Sequence, residues 1–121
     1  MADILLVEDD ERIRRFIRKV LERESHTVME AGNGKDALVC LEAQSFDIVI
    51  SDVFMPEMDG LEVIMRIRQI APNVKLVSMS GGFQGIGLLP VAEALGADLV
   101  LPKPFTAVEL LEAVSGLMAS R

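Results

Sequence analysis

Cysteine and histidine are nearly missing from this chain of 121 residues, with Cys40 and His26 the single instance of each. A lone cysteine excludes an internal disulfide. Neither residue has a spaced His or Cys partner from which a metal site or dyad could be made, so His26 reads as a surface histidine and Cys40 as a partly buried thiol. Basic residues are in deficit, twelve against nineteen acidic ones, which gives a formal net charge of −7. That balance argues against nonspecific binding to nucleic acid or to an anionic membrane surface, and fits a basic protein partner or a cation better. No apolar run approaches the length of a membrane span. No basic-then-apolar leader precedes Asp3, so a cytoplasmic chain is the expectation. Repeats, linkers and low-complexity stretches are absent too, which leaves one domain, large enough for a conventional core without metal or disulfide staples.

Half of the residues are apolar, and they fall into short runs separated by amphipathic stretches. The run from Phe46 to Ile50, apolar apart from Asp47, is short and reads as a strand buried on both faces, as in parallel sheets. Asp52 falls at its carboxyl end, where a charge is costly to desolvate without a cation or donors. Pro56, Asp59 and Gly60 mark a turn that opens a helix.

Ile4 to Val7 forms a first strand ending in Glu8, Asp9 and Asp10. Ile13, Phe16, Ile17, Val20 and Leu21 then recur at helical spacing on one face. The other face carries Arg12, Arg14, Arg15, Arg18, Lys19 and Arg23, which is either a solvated helix face or a docking surface for an acidic partner. Thr27 to Ala31 is less apolar and suggests a second strand nearer a sheet edge. Asn33 is the expected N-cap of a helix whose inner face is Ala37, Leu38 and Leu41. Val63, Ile64, Ile67 and Ala71 define a third helix stopped by Pro72. Val74 to Met79 and Leu99 to Leu101 supply two further strands. Between them, Gly81 to Gly87 holds four glycines and is expected to be a mobile loop; it lacks the Lys-Ser or Lys-Thr of a nucleotide cradle. A short helix on Leu88, Val91, Ala92 and Leu95 follows. Thr106 with Glu109 is a capping box for a last helix that buries Ala107, Leu110, Leu111, Val114 and Met118. Five strands alternating with five helices imply a parallel sheet covered on both faces, joined by right-handed crossovers.

Such a sheet brings the strand ends together at its carboxyl edge, where α/β folds bind ligands. There Glu8 and Asp9 meet Asp52, Ser80 and Lys103. Acids at strand ends are often no more than solvated loop residues. Three carboxylates in close proximity, however, repel unless a cation joins them. A hard divalent ion with oxygen ligands removes the conflict, and Mg²⁺ keeps waters that a phosphate can displace. Lys103 adds a compact positive charge and Ser80 a hydroxyl donor, a set suited to a tetrahedral anion.

Taken in order, Leu5-Leu6-Val7-Glu8-Asp9-Asp10, Asp47 to Asp52, Met55-Pro56-Glu57-Met58-Asp59-Gly60, Ser80, Gly96-Ala97-Asp98 and Lys103-Pro104-Phe105 resemble the receiver domain of two-component response regulators across essentially the whole chain. The resemblance implies a flavodoxin-like, doubly wound five-stranded sheet in the order 2-1-3-4-5 with five helices. It implies that Asp52 accepts a phosphoryl group from a phosphohistidine on a sensor histidine kinase or a histidine phosphotransfer protein. Asp9 would ligate Mg²⁺ directly and Glu8 mainly through water, joined by the Asp52 carboxylate and the backbone carbonyl of Phe54; Asp10 is the runner-up for the acidic pair. Ser80 and Lys103 would each hold a phosphoryl oxygen, and the Lys103–Pro104 peptide would be cis. The readout surface would be the fourth helix, fifth strand and fifth helix, presented to a downstream protein, with no direct nucleic-acid or membrane binding.

Two departures qualify that likeness. Val100 stands where the family usually has Tyr or Phe on the fifth strand, which excludes a rotating aromatic switch there. The glycine-rich loop is about a residue longer than is common in the family. Only Ala119, Ser120 and Arg121 end the chain after the last helix, so a receiver spanning 1–121 without an output domain is expected. Two other functions are compatible with the residues: a Mg²⁺-dependent phosphohydrolase with Asp52 as nucleophile, disfavoured because Phe54 stands where a second acid is usual, and a phosphorylation-independent binding module.

Overall fold

The structure is a computed structural model that describes residues 1–52, 60–81 and 96–119, with only the backbone described for 60, 61, 80 and 81. Along the chain run β1 (Asp3–Val7), α1 (Glu11–Arg23), β2 (Thr27–Ala31), α2 (Gly34–Ala43), β3 (Ile48–Asp52), α3 (Gly60–Ile70), β4 (Lys75–Gly81), β5 (Leu99–Lys103) and α4 (Ala107–Ala119). The five strands form one sheet in the order β2-β1-β3-β4-β5, parallel at every pairing. This is the flavodoxin-like order. The helix expected on Leu88 to Leu95 and the loop before it, after Gly81, lie outside the described residues.

Alternation along the strands divides the core in two. Ile4, Leu6, Ile48, Ile50, Val77 and Met79 point to one face and pack with Ile17, Val20 and Leu21 of α1 and with Leu110 and Val114 of α4. Leu5, Val7, Val49 and Leu76 point to the other and pack with Ala37 and Leu41 of α2 and Val63, Ile64 and Ile67 of α3. A strand whose side chains are buried on both faces has no polar face to alternate with, which is why β1 and β3 read as near-continuous apolar runs. Each fully buried aliphatic side chain contributes about 1.5–3 kcal/mol.

The caps follow the sequence. Asn33 Oδ1 accepts the Asp36 N–H at 2.8 Å. Thr106 and Glu109 bond reciprocally, the Glu109 N–H to Thr106 Oγ1 at 3.1 Å and the Thr106 N–H to Glu109 Oε1 at 2.9 Å.

Several expectations need correction. β3 begins at Ile48 rather than Phe46 and continues through Asp52, which pairs with Met79; backbone pairing with β4 holds these polar residues in the ladder. β4 likewise runs on to Gly81 and β5 to Lys103. Phe16 is 43% exposed, because it lies at the rim of the buried stripe beside Pro104 and Phe105. His26 is half-buried, and its Nδ1 accepts the Ala2 N–H at 3.0 Å; burial lowers its pKa from the ordinary 6.5. Cys40 is partly buried, as expected.

Candidate functional site

β1 and β3 are central neighbours in the sheet, and Val7 stands in register with Ser51. The next residue on each chain is therefore an acid, Glu8 beyond β1 and Asp52 at the end of β3. Both are buried, at 1% and 6% exposure, whereas Asp9 is exposed. Carboxylate oxygens of Glu8, Asp9 and Asp52 all lie within 4.8 Å of one another.

Lys103, the last residue of β5, reaches across β4 to this corner. Its Nζ donates to Glu8 Oε1 at 2.6 Å and to Asp52 Oδ2 at 3.0 Å. The Lys103–Pro104 peptide is cis. Glu8 Oε2 accepts the backbone N–H of Asp10 at 3.1 Å. Burial pushes the Glu8 carboxyl up to about 7, against the opposing pull of Lys103 and the Asp10 N–H. For Lys103, burial acts downward, but the hydrogen bonds to Glu8 and Asp52 outweigh it and hold the ammonium above its ordinary value. An ammonium shared by two buried carboxylates is thus the electrostatic centre of the site, with the third carboxylate open to solvent beside it.

Asp10 has another task. Its side chain accepts the N–H groups of Arg12 and Ile13 at 2.9 and 3.2 Å and caps α1. These donors hold its carboxyl below the ordinary 3.8. Of the three successive acids, Glu8 and Asp9 join Asp52, and Asp10 belongs to the helix. Ser80 lies in β4 in register with Pro102; its side chain, like the whole of Phe54, lies outside the described residues.

A model of the response regulator receiver domain matches residues 4–115. The chain belongs to the response regulator receiver domain family. As a receiver of two-component systems it is a signalling domain of a family phosphorylated on aspartate. It is 36% identical over 118 residues to the response regulator receiver protein CpdR of Brucella abortus, covering 98% of both chains. It is also 36% identical over 122 residues to a segment of the sensor kinase CckA of Brucella abortus, covering 97% of this chain and 12% of that one. Among solved structures, the receiver domain of NtrX from Brucella abortus superposes with a TM-score of 0.93 at 26% identity, covering 98% of this chain and all of that one.

One residue of the receiver's acidic corner escaped the sequence reading. Arg14, placed there on a solvated or docking face, turns inward: its Nη1 donates to the backbone carbonyl of Glu8 at 2.8 Å and its Nε to Glu30 Oε1 at 2.9 Å. The available signal was Glu30. It sits two residues after Val28, which packs with α1, so an acid in that strand faces α1 and calls for a cation there.

Proposed function

We propose that Asp52 is the phosphoacceptor of this receiver, that Glu8, Asp9 and Asp52 hold Mg²⁺, and that Lys103 pairs with the phosphoryl group. The observation that carries the reading is the Lys103 ammonium lying between the buried carboxylates of Glu8 and Asp52. The donor set fits the ion: three carboxylates, all hard oxygen ligands, lie within reach of a common centre, one of them open to solvent. Bound there, Mg²⁺ supplies positive charge that offsets the repulsion between the acids and the incoming phosphoryl oxygens.

An Asp52 carboxylate oxygen attacks the phosphorus of a phosphohistidine; the P–O bond forms as the P–N bond breaks, and the imidazole leaves with the electron pair. Lys103, already bonded to the Asp52 carboxylate before reaction, offsets charge on the phosphoryl oxygens as they arrive. By resemblance, Ser80 would donate to another phosphoryl oxygen, and the Phe54 carbonyl would join the carboxylates in holding the cation, with Glu8 acting mainly through water. The donor is a sensor histidine kinase or a phosphotransfer protein, a reading supported by the match to part of a protein named as a sensor kinase. The chain acts as a phosphoacceptor, with self-catalysed phosphotransfer and slow autodephosphorylation as its only chemistry. Charge added at Asp52 gives Lys103 a new partner, and because Lys103 ends β5 the change passes to the surface of β5, α4 and the helix expected on Leu88 to Leu95. With Val100 in place of an aromatic, it passes through backbone shifts or the glycine-rich loop rather than through a rotating ring.

Incubation with Mg²⁺ and acetyl phosphate followed by intact mass tests this. One phosphoryl adduct is expected on the wild type and none on Asp52→Asn or in EDTA. An adduct that survives Asp52→Asn contradicts the assignment.

A further inference from the structure

Arg14, in the basic row of α1, hydrogen-bonds the backbone of the acid turn. Its guanidinium spans two groups, the Glu8 carbonyl and the Glu30 carboxylate. Glu30 is itself anchored. It stands in register with Leu6 on β1, and its second oxygen pairs with Arg18, which also holds Glu22. β1 leaves the ladder at this point, its last bond running from the Glu8 N–H to the Ala31 carbonyl at 3.1 Å. Beyond it, the direction of the chain depends on the peptide linking Glu8 to Asp9.

That peptide is planar, so fixing its carbonyl oxygen also fixes the Asp9 N–H and Cα. The Glu8 carboxylate has its own holders in Lys103 and the Asp10 N–H, whereas Asp9 is exposed. We infer that Arg14 is a positioning residue of the cation site: braced against Glu30, it sets the Glu8–Asp9 peptide and with it the direction in which Asp9 presents its carboxylate. The inference rests on the reading that Glu8, Asp9 and Asp52 hold Mg²⁺.

The sign of the effect separates positioning from charge. A guanidinium beside a cation site repels the cation, so if Arg14 contributed only its charge, removing it would tighten binding. Positioning predicts the reverse. Mg²⁺ is titrated into the whole chain at constant ionic strength, followed by the amide signals of residues 8–10 and 52 in ¹⁵N-labelled protein, with thermal melts to establish that each variant is folded. Arg14→Gln is expected to raise the Mg²⁺ Kd about tenfold, the scale of losing a group that orients a ligand. Arg14→Lys fails to restore it, because an ammonium has no planar fork to span both partners. Glu30→Gln, which leaves Arg14 in place without its brace, gives a smaller rise. Arg15→Gln, which removes a positive charge from the same helix at a side chain paired with Glu11, leaves the Kd unchanged.

An Arg14→Gln variant that binds Mg²⁺ as tightly as the wild type, or more tightly, overturns the inference, as does wild-type affinity in Arg14→Lys. Should Arg14→Gln not fold, Glu30→Gln decides, and an unchanged Kd there has the same meaning. A wild type that binds no Mg²⁺ overturns the reading of the site and the inference with it; a wild type that binds while Arg14→Gln is unaffected overturns the inference alone.

Discussion

Glu8 is held at four atoms although almost none of its surface meets solvent. Its N–H goes to Ala31, its carbonyl to Arg14 and its carboxylate oxygens to Lys103 and the Asp10 N–H. Burial raises its pKa from 4.5 to about 7, so in metal-free protein the folded state binds more protons than the unfolded state between those values. Stability conferred by the protonated form is therefore present at low pH and lost as pH rises through about 7. In EDTA, denaturation midpoints are expected to show the wild type losing stability relative to Glu8→Gln from pH 5 to pH 8, with Mg²⁺ restoring part of the loss; a constant difference would contradict this. Ser78 is the opposite case, a fully buried hydroxyl without a hydrogen-bond partner among the described residues. Ser78→Ala removes an unmet polar group and is expected to raise stability by about 1 kcal/mol. Circular dichroism is the appropriate probe, because the chain has no Trp or Tyr. Asp52 and Lys103 were legible from their places at strand ends. Arg14 was not, because a helical pattern distinguishes faces but does not reveal which acid of a neighbouring strand one of them will meet.

Elements read well from the sequence where one physical cause acts alone, as with the Asn33 cap and the Thr106–Glu109 box. They read poorly where two causes share the same residues. Glu8, Asp9 and Asp10 satisfy both an acidic site and a helix N-terminus, and only the start of α1 assigns Asp10 to the cap. Asp10→Ala is accordingly expected to cost about 1 kcal/mol of stability in urea denaturation. A loss near zero would mean that the cap is not its task. The start of β3 was misjudged: the apolar run opens at Phe46, while backbone pairing with β4 begins at Ile48.

Across the whole molecule, the two edges of the sheet divide the labour. The carboxyl edge gathers the acids and Lys103. The amino edge is held by Arg68, which donates to the carbonyls of Gly96 and Val74 and to Asp98, while Asp98 in turn accepts the Leu76 N–H. Arg68→Gln is expected to cost about 2 kcal/mol with no change in Mg²⁺ affinity, measured by denaturation and titration of the same sample. A parallel α/β architecture was legible in the alternation of strands and helices, but strand order was not, since local patterns carry no record of which strands become neighbours; it came from resemblance. That order places Glu8 and Asp52 on adjacent strands and Lys103 within reach, so the site is a product of topology as much as of any one element. Calorimetric titration of Mg²⁺ into the wild type, Asp9→Asn, Asp10→Asn and Asp52→Asn tests this most directly. Binding is expected to weaken strongly in the Asp9 and Asp52 variants and to persist in Asp10→Asn, whereas wild-type affinity in Asp52→Asn would contradict a cation site shared between the two strands.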